Sequence, residues 1–209
     1  MKSSRCKLTV LLTALIFAVS LSFGCKMESP AAELPKVASQ EKVKQKHLYK
    51  YAQSNAYNLG ESKIKSKAKF KGEDPIPSLQ AFARLYNGFD IIGIQEISTG
   101  PFGAKALGML RDNLSRKGED WGMLYSDPTN GPGLERFGVL FRKSKFVELS
   151  SPYSGLVKEL DDDIDREPYH AVLKEKSTGK LLHIYIFHLL PVDKDPGREA
   201  EAVGRHADL

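Results

Sequence analysis

The sequence predicts an α/β (α+β) fold, and three observations carry the prediction. The segment Phe89-Asp90-Ile91-Ile92-Gly93-Ile94-Gln95-Glu96 is an apolar, β-branched run that stops at a carboxylate, the pattern of a strand buried on both faces. Helical periodicities stand before and after it. Beyond residue 120 the pattern changes to short strands separated by turn residues. A glutamate at the carboxyl end of a buried strand lies where open α/β sheets place ligands, and its oxygens suit a hard divalent cation.

The elements follow in order. Residues 48–55 read as a first strand, with a turn at Asn58-Leu59-Gly60-Glu61. Lys63, Lys65, Lys67, Lys69 and Lys71 then alternate with Ile64, Ser66, Ala68 and Phe70. That period allows a strand with one charged face, but without a partner strand an exposed loop is expected. Pro75 and Pro77 introduce a helix to residue 87, with Leu79, Phe82, Ala83 and Tyr86 at helical spacing and Gly88 to close it. A strand to Glu96 follows. A second helix over residues 104–117 puts Leu107, Leu110 and Leu114 on one stripe, with Gly118 as its left-handed terminator. Strands are predicted at 121–126, 136–142, 146–149, 169–176 and 181–188, the last two joined by the hairpin turn Ser177-Thr178-Gly179-Lys180. The segment from Arg198 is helical in composition.

The amino terminus is read as a targeting segment. Lys2, Arg5 and Lys7 precede an uncharged run from Leu8 to Phe23 that ends Ser22-Phe23-Gly24-Cys25, so residues 1–24 are expected to be an export signal. Ordinary signal-peptidase cleavage and lipoprotein processing cut the same bond, before Cys25. In the second case Cys25 carries the lipid, although Leu21 sits one position early and Phe23 stands where a small residue is usual. As an uncleaved anchor the run is slightly short of the roughly 18 apolar residues of a spanning helix. Residues 25–46 read as a tether and 47–209 as the globular domain. The expected location is outside the cytoplasm, on a bacterial membrane through the lipid or free in the periplasm or medium. Cys6 leaves with the signal, so no disulfide is expected to hold the fold.

Charge is informative by its distribution. Of 31 Lys and Arg the signal holds three, leaving 28 against 26 Asp and Glu, so the isoelectric point alone says little about nucleic acid. Residues 36–71 hold ten lysines against Glu41 and Glu61, net +8, whereas residues 72–209 carry 17 basic and 22 acidic groups, net −5. A basic arm precedes an acidic body.

Few residues invite chemistry singly. Strand alternation puts Ile184, Ile186 and His188 on one face of the last strand, so His188 emerges at the end of a core face, where a neighbouring carboxylate can tune it for proton transfer. Asp165-Arg166-Glu167-Pro168 precedes a strand and presents a guanidinium able to fork onto phosphate oxygens; a surface salt bridge is the plainer reading. Glu135-Arg136 opens another strand. The acidic run Asp161-Asp162-Asp163-Ile164-Asp165 has Arg166 where a calcium loop needs glycine and Val172 where it needs glutamate, which excludes an EF-hand. There is no Walker loop, no GxGxxG, no GxSxG and no cysteine or histidine pair at zinc spacing.

In combination these residues are specific. Asn55 with Gly60-Glu61, Ile94-Gln95-Glu96, Glu135-Arg136-Phe137-Gly138-Val139, Asp165-Arg166-Glu167-Pro168 and Ile184-Tyr185-Ile186-Phe187-His188 occur in one order, each near a strand end. The chain resembles the endonuclease/exonuclease/phosphatase superfamily over residues 48–209, and within it is most similar to deoxyribonuclease I. The resemblance implies a four-layer sandwich of two mainly antiparallel sheets packed face to face, with helices outside. It implies metal-assisted phosphodiester hydrolysis with magnesium, or another divalent cation such as calcium, on Glu96. Asn55 would assist near the metal or phosphate, Arg166 would hold the substrate phosphate, and His188, oriented by Glu135, would be one of two catalytic histidines. The family's later Gly-Asp-x-Asn and Ser-Asp-His elements do not follow His188, so only the amino-terminal part of the domain is expected here, with weak or no activity. The implied substrate is DNA, the implied state a monomer with no protein partner. The alternatives are a phosphatase or sphingomyelinase-like phosphodiesterase on the same fold, and a non-catalytic surface lipoprotein binding through its lysine arm.

Overall fold

Ile91, Ile92 and Ile94 are buried on both faces of their strand because two different layers close on it. The computed structural model describes residues 49–207 apart from 132, 150, 151, 153 and 161. The expectations for the export signal, for lipidation at Cys25 and for the tether lie outside the described residues. The elements are β1 (Tyr51–Leu59), α1 (Glu61–Lys65), β2 (Lys67–Ala68), β3 (Ile76–Pro77), α2 (Ser78–Tyr86), β4 (Ile91–Ile97), α3 (Pro101–Ser115), β5 (Trp121–Tyr125), β6 (Arg136–Arg142), β7 (Phe146–Leu149), β8 (Gly155–Leu156), β9 (Tyr169–Glu175), β10 (Leu181–Ile186) and α4 (Pro196–Ala207), with short 3₁₀ turns at Lys158–Leu160 and Val192–Lys194.

The first sheet runs β1-β4-β6-β5, parallel between β1 and β4 and antiparallel elsewhere. In the second, β9 lies between β10 on one side and β7 with β8 on the other, all antiparallel. Period-two alternation sorts the side chains. Ile92, Ile94 and Leu140 face a helical layer through Leu79, Ala83, Leu107, Leu110 and Leu114. Ile91, Phe137, Val139 and Phe141 face the second sheet through Tyr169, Ala171, Leu173, Ile184 and Ile186. Gly93 marks a close approach of the two sheets, since a Cβ there would meet Ile186 Cδ1 at 3.2 Å, as well as Tyr51 Oη of its own sheet at 2.7 Å. The architecture is the α/β one expected: two sheets face to face, with helices outside the first. Beyond the second sheet, α4 packs Ala202 and Val203 against Val157, Leu160 and Ile164.

Several boundaries differ from the sequence reading. β1 continues to Leu59, four residues past the expected end, because parallel pairing with β4 holds it. The expected turn and lysine loop contain α1 and the two-residue ladder of β2 with β3. An i,i+4 pair of Glu61 with Lys65 at 2.5 Å and the packing of Ile64 on the helical core favour a helical turn over the period-two strand. Helix α2 closes through Phe89 N–H to Tyr86 O, with Gly88 outside the left-handed region, whereas Gly118 after α3 has φ +100° as expected. β10 ends at Ile186, so His188 lies in the chain beyond the strand.

Candidate functional site

The site begins with a fault in β4. Regular alternation after Ile92 and Ile94 would aim Glu96 into the apolar helical layer. Instead the pairing of β4 with β6 shifts register between Ile94 and Ile97, and that with β1 shifts between Asn55 and Leu59. Glu96 takes φ 56°, a left-handed conformation rare for a residue with a Cβ. One extra residue lets Ile97 rejoin the face of Ile92 and Ile94, while the carboxylate turns out of the core. Holding a non-glycine residue there costs about 1–3 kcal/mol, offset by the surrounding hydrogen bonds.

Those bonds come from β1 and from the residue that precedes β6. Asn55 Nδ2 donates to Glu96 Oε1 at 2.6 Å, and Asn58 N–H donates to Oε2 at 3.1 Å. Asn55 Oδ1 accepts from Tyr57 N–H at 2.8 Å, which fixes the amide orientation. The Glu96 N–H, freed by the bulge, donates to Glu135 Oε2 at 2.6 Å. Glu135 itself stands at the neck of a loop closed by Thr129, whose N–H donates to Glu135 O at 2.9 Å and whose Oγ1 accepts from Glu135 N–H at 3.2 Å.

His188 joins this pair from the segment that follows β10 of the second sheet. Its Nδ1 is 2.6 Å from Glu135 Oε1 and its Nε2 is 3.6 Å from Glu96 Oε1. A carboxylate only accepts, so Glu135 places the imidazole proton on Nδ1 and leaves Nε2 as the working nitrogen beside Glu96. The residue before His188 is tied to the first sheet: Phe187 O accepts from Gln95 Nε2 and, at 3.3 Å, from Gln53 Nε2. The adjacent Gln95 and Glu96 therefore divide the work, one holding the backbone that carries the imidazole and the other facing its ring.

Arg166 is less open than a surface phosphate anchor. Its side chain is 13% exposed, its Nε lies 3.6 Å from Glu135 Oε1, and its Nη2 donates to Leu189 O at 3.0 Å. These contacts engage Nε and Nη2 and leave Nη1 as the remaining amino group of the fork. Glu167 is fully buried and accepts from Asn130 N–H at 2.9 Å. Gly131 presses so closely that a Cβ would lie 1.7 Å from Asp165 O. These two contacts seat the loop before Glu135 against the loop carrying Arg166.

The structure thus brings Asn55, Glu96, Glu135, Arg166 and His188 together; Cys25 lies outside the described residues. Of the other described histidines, His170 and His183 face each other at 2.9 Å on the outer side of the second sheet, and His206 lines a cavity there with Tyr185 and Phe187. Burial and the neighbouring His183 lower the pKa of His170. The acidic run is engaged by α4, with Asp163 facing Arg205 at 3.7 Å and Asp165 facing Arg198 at 3.2 Å. Sequence reasoning quoted Gln95 and Glu167 within the motif segments without giving them a role, and assigned nothing to Gln53, Thr129 or Glu199.

For a divalent cation the donor set is small. Among the described residues no group of three or more His, Cys, Asp or Glu side chains is arranged to hold an ion. At the site Glu96 presents carboxylate oxygens, while the Asn55 amide turns its nitrogen toward them and its Oδ1 toward Tyr57 N–H. One carboxylate suits a hard divalent cation that keeps several waters and takes further oxygens from a bound phosphate.

No family model matches the chain, and no curated protein does. Among solved structures it is similar to the human Nocturnin catalytic domain with bound sulfate anion, at 17% identity over 60% of this chain and 47% of that one, TM-score 0.40. It is also similar to ANGEL2, a 2′,3′-cyclic phosphatase in complex with adenosine-2′,3′-vanadate, at 19% identity over 60% of this chain and 34% of that one, TM-score 0.42. The chain spans about half the length of the first and a third of the second.

Proposed function

We propose that this protein hydrolyses a phosphoester with the aid of a divalent cation. The observation that supports the reading is the Glu135–His188–Glu96 arrangement, an imidazole oriented at Nδ1 by a buried carboxylate and aimed at Nε2 toward a second one. A divalent cation on Glu96 would supply positive charge for the developing charge on phosphate oxygens. Asn55 and Asn58 hold that carboxylate in place. Arg166 adds a cation on the other side of Glu135, and its free amino edge holds the phosphate. His188 Nε2 accepts a proton from the attacking oxygen or returns one to the departing oxygen, and Glu135 stabilises the imidazolium while it exists.

For the substrate, net −5 over residues 72–209 favours a small phosphoester, met by a phosphatase or a sphingomyelinase-like phosphodiesterase, because a duplex demands a positive surface. A second reading, DNA hydrolysis of the deoxyribonuclease I type, draws on the lysines between residues 63 and 71, which follow β1 and its Asn55 directly. The test is initial-rate hydrolysis with magnesium of p-nitrophenyl phosphate, bis-p-nitrophenyl phosphate, an adenosine 2′,3′-cyclic phosphate, sphingomyelin and supercoiled plasmid. Turnover of a phosphoester by the native chain, lost in Glu96→Gln together with its magnesium-dependent rise in Tm, is the expected result. Equal rates in native and Glu96→Gln protein, or no hydrolysis of any of the five, would overturn the proposal. Plasmid nicking without small-ester turnover would select the second reading.

A further inference from the structure

Glu199 has no contact with solvent, its relative exposure being 0%. A carboxyl group out of water is stable only when hydrogen bonds replace its hydration. Both of its oxygens accept backbone N–H groups from outside its own helix: Asp165 donates to Oε1 at 2.8 Å and Leu190 to Oε2 at 2.6 Å. Asp165 directly precedes Arg166. Leu190 follows Leu189, whose carbonyl accepts from Arg166, and stands two residues after His188.

The geometry points to Glu199 as a positioning residue that fastens the loop carrying Arg166 to the loop carrying His188. Neither loop has regular strand pairing at these residues, so the cross-tie replaces a ladder that ends at Tyr169 and Ile186. Helix α4 is braced for the task. Ala202 and Val203 pack on Leu160 and Ile164, and Arg198 Nη1 donates to Asp163 O at 2.7 Å. If either loop slipped, Arg166 would leave Leu189 O and Glu135, and the Glu135–His188 contact would lose its support. The word positioning rests on the phosphoester reading of Arg166 and His188; the cross-tie itself does not.

Glu199→Gln tests it in the full chain, because glutamine is near in shape but keeps one acceptor oxygen and turns an NH2 toward the other N–H. Amide hydrogen exchange at Asp165 and Leu190 should quicken at least about tenfold, and the His188 Nδ1–H signal should broaden. Glu201→Gln serves as control: it makes the same change at an exposed position of α4 outside the cross-tie, and should leave those signals unchanged. Where the native chain turns over a phosphoester, Glu199→Gln should lower kcat about tenfold with KM little changed, and Glu201→Gln should not. Unchanged exchange in Glu199→Gln, or equal effects of the two substitutions, overturns the proposal. If Glu199→Gln does not fold, the native chain decides: scalar couplings across the hydrogen bonds from Asp165 and Leu190 N–H to the Glu199 carboxylate support the cross-tie, and their absence overturns it. A native chain without turnover sinks the hydrolase reading while the exchange and coupling experiments still judge the cross-tie.

Discussion

Glu135 is the residue on which the others depend. Its two oxygens take hydrogen bonds from Glu96 N–H and His188 Nδ1, and its charge faces Arg166. Glutamine has only one acceptor oxygen, so Glu135→Gln either turns an NH2 against the bulge N–H or, facing His188, forces the imidazole proton from Nδ1 to Nε2. Under the hydrolase reading kcat should fall on the order of 10²–10⁴-fold, the usual worth of a positioned proton-transfer group. Initial rates with matched circular dichroism would check this, and a variant with native rates would remove the orienting role of Glu135. Glu96 was legible in the sequence because an apolar run stopped at a charge. Its left-handed conformation was not, since a bulge depends on the register of β1 and β6, which no local pattern encodes.

The loops between strands position these side chains more than the strands do. Gly131 is the sharpest case, with a prospective Cβ 1.7 Å from Asp165 O, a backbone atom unable to move aside. Gly131→Ala should therefore separate the loop before Glu135 from the one carrying Arg166. We expect a loss of about 1–3 kcal/mol of stability, as for overpacked cores, together with reduced turnover. Gly108→Ala is the comparison, because its added methyl meets nothing within 4 Å. Denaturant titration of both variants reads the difference, and equal midpoints would contradict the close packing. Helix α2, helix α3 and most strands were legible from periodicity, because burial repeats along them. Helix α1 was hidden by its alternating lysines, and β8 by its length of two residues.

The pole opposite the site is held by Asp90, which sits just before β4 and ties three parts of the molecule. Its Oδ2 accepts from Lys50 N–H at 3.0 Å, while Oδ1 meets Lys145 Nζ at 2.7 Å and Arg142 Nε at 3.4 Å. Burial pushes the Asp90 carboxyl up, but the Lys145 ammonium, the Lys50 amide and the Arg142 guanidinium together hold it below the ordinary carboxylate range. A carboxyl depressed in the folded state adds stability that is complete above its unfolded pKa, about 3.9, and that disappears as pH falls through the folded value. Asp90→Asn should cost about 1–3 kcal/mol at pH 7, the worth of hydrogen bonds to a charged group. It should cost progressively less below pH 4. Urea unfolding at pH 7 and pH 3 tests this, and a penalty independent of pH would refute the linkage.

Apolar period and the abrupt carboxylate at Glu96 determined the α/β class, local properties written in burial patterns that survive without coordinates. Which five side chains belong together followed from the resemblance of the ordered motif segments to a known family. Only the tertiary structure decided that β4 bulges at Glu96, that Gln53 and Gln95 hold Phe187, and that Glu199 ties the loops of Arg166 and His188. Each of those depends on hydrogen-bond partners some ten to over one hundred residues away in sequence, brought within 3.5 Å only when the sheets close face to face.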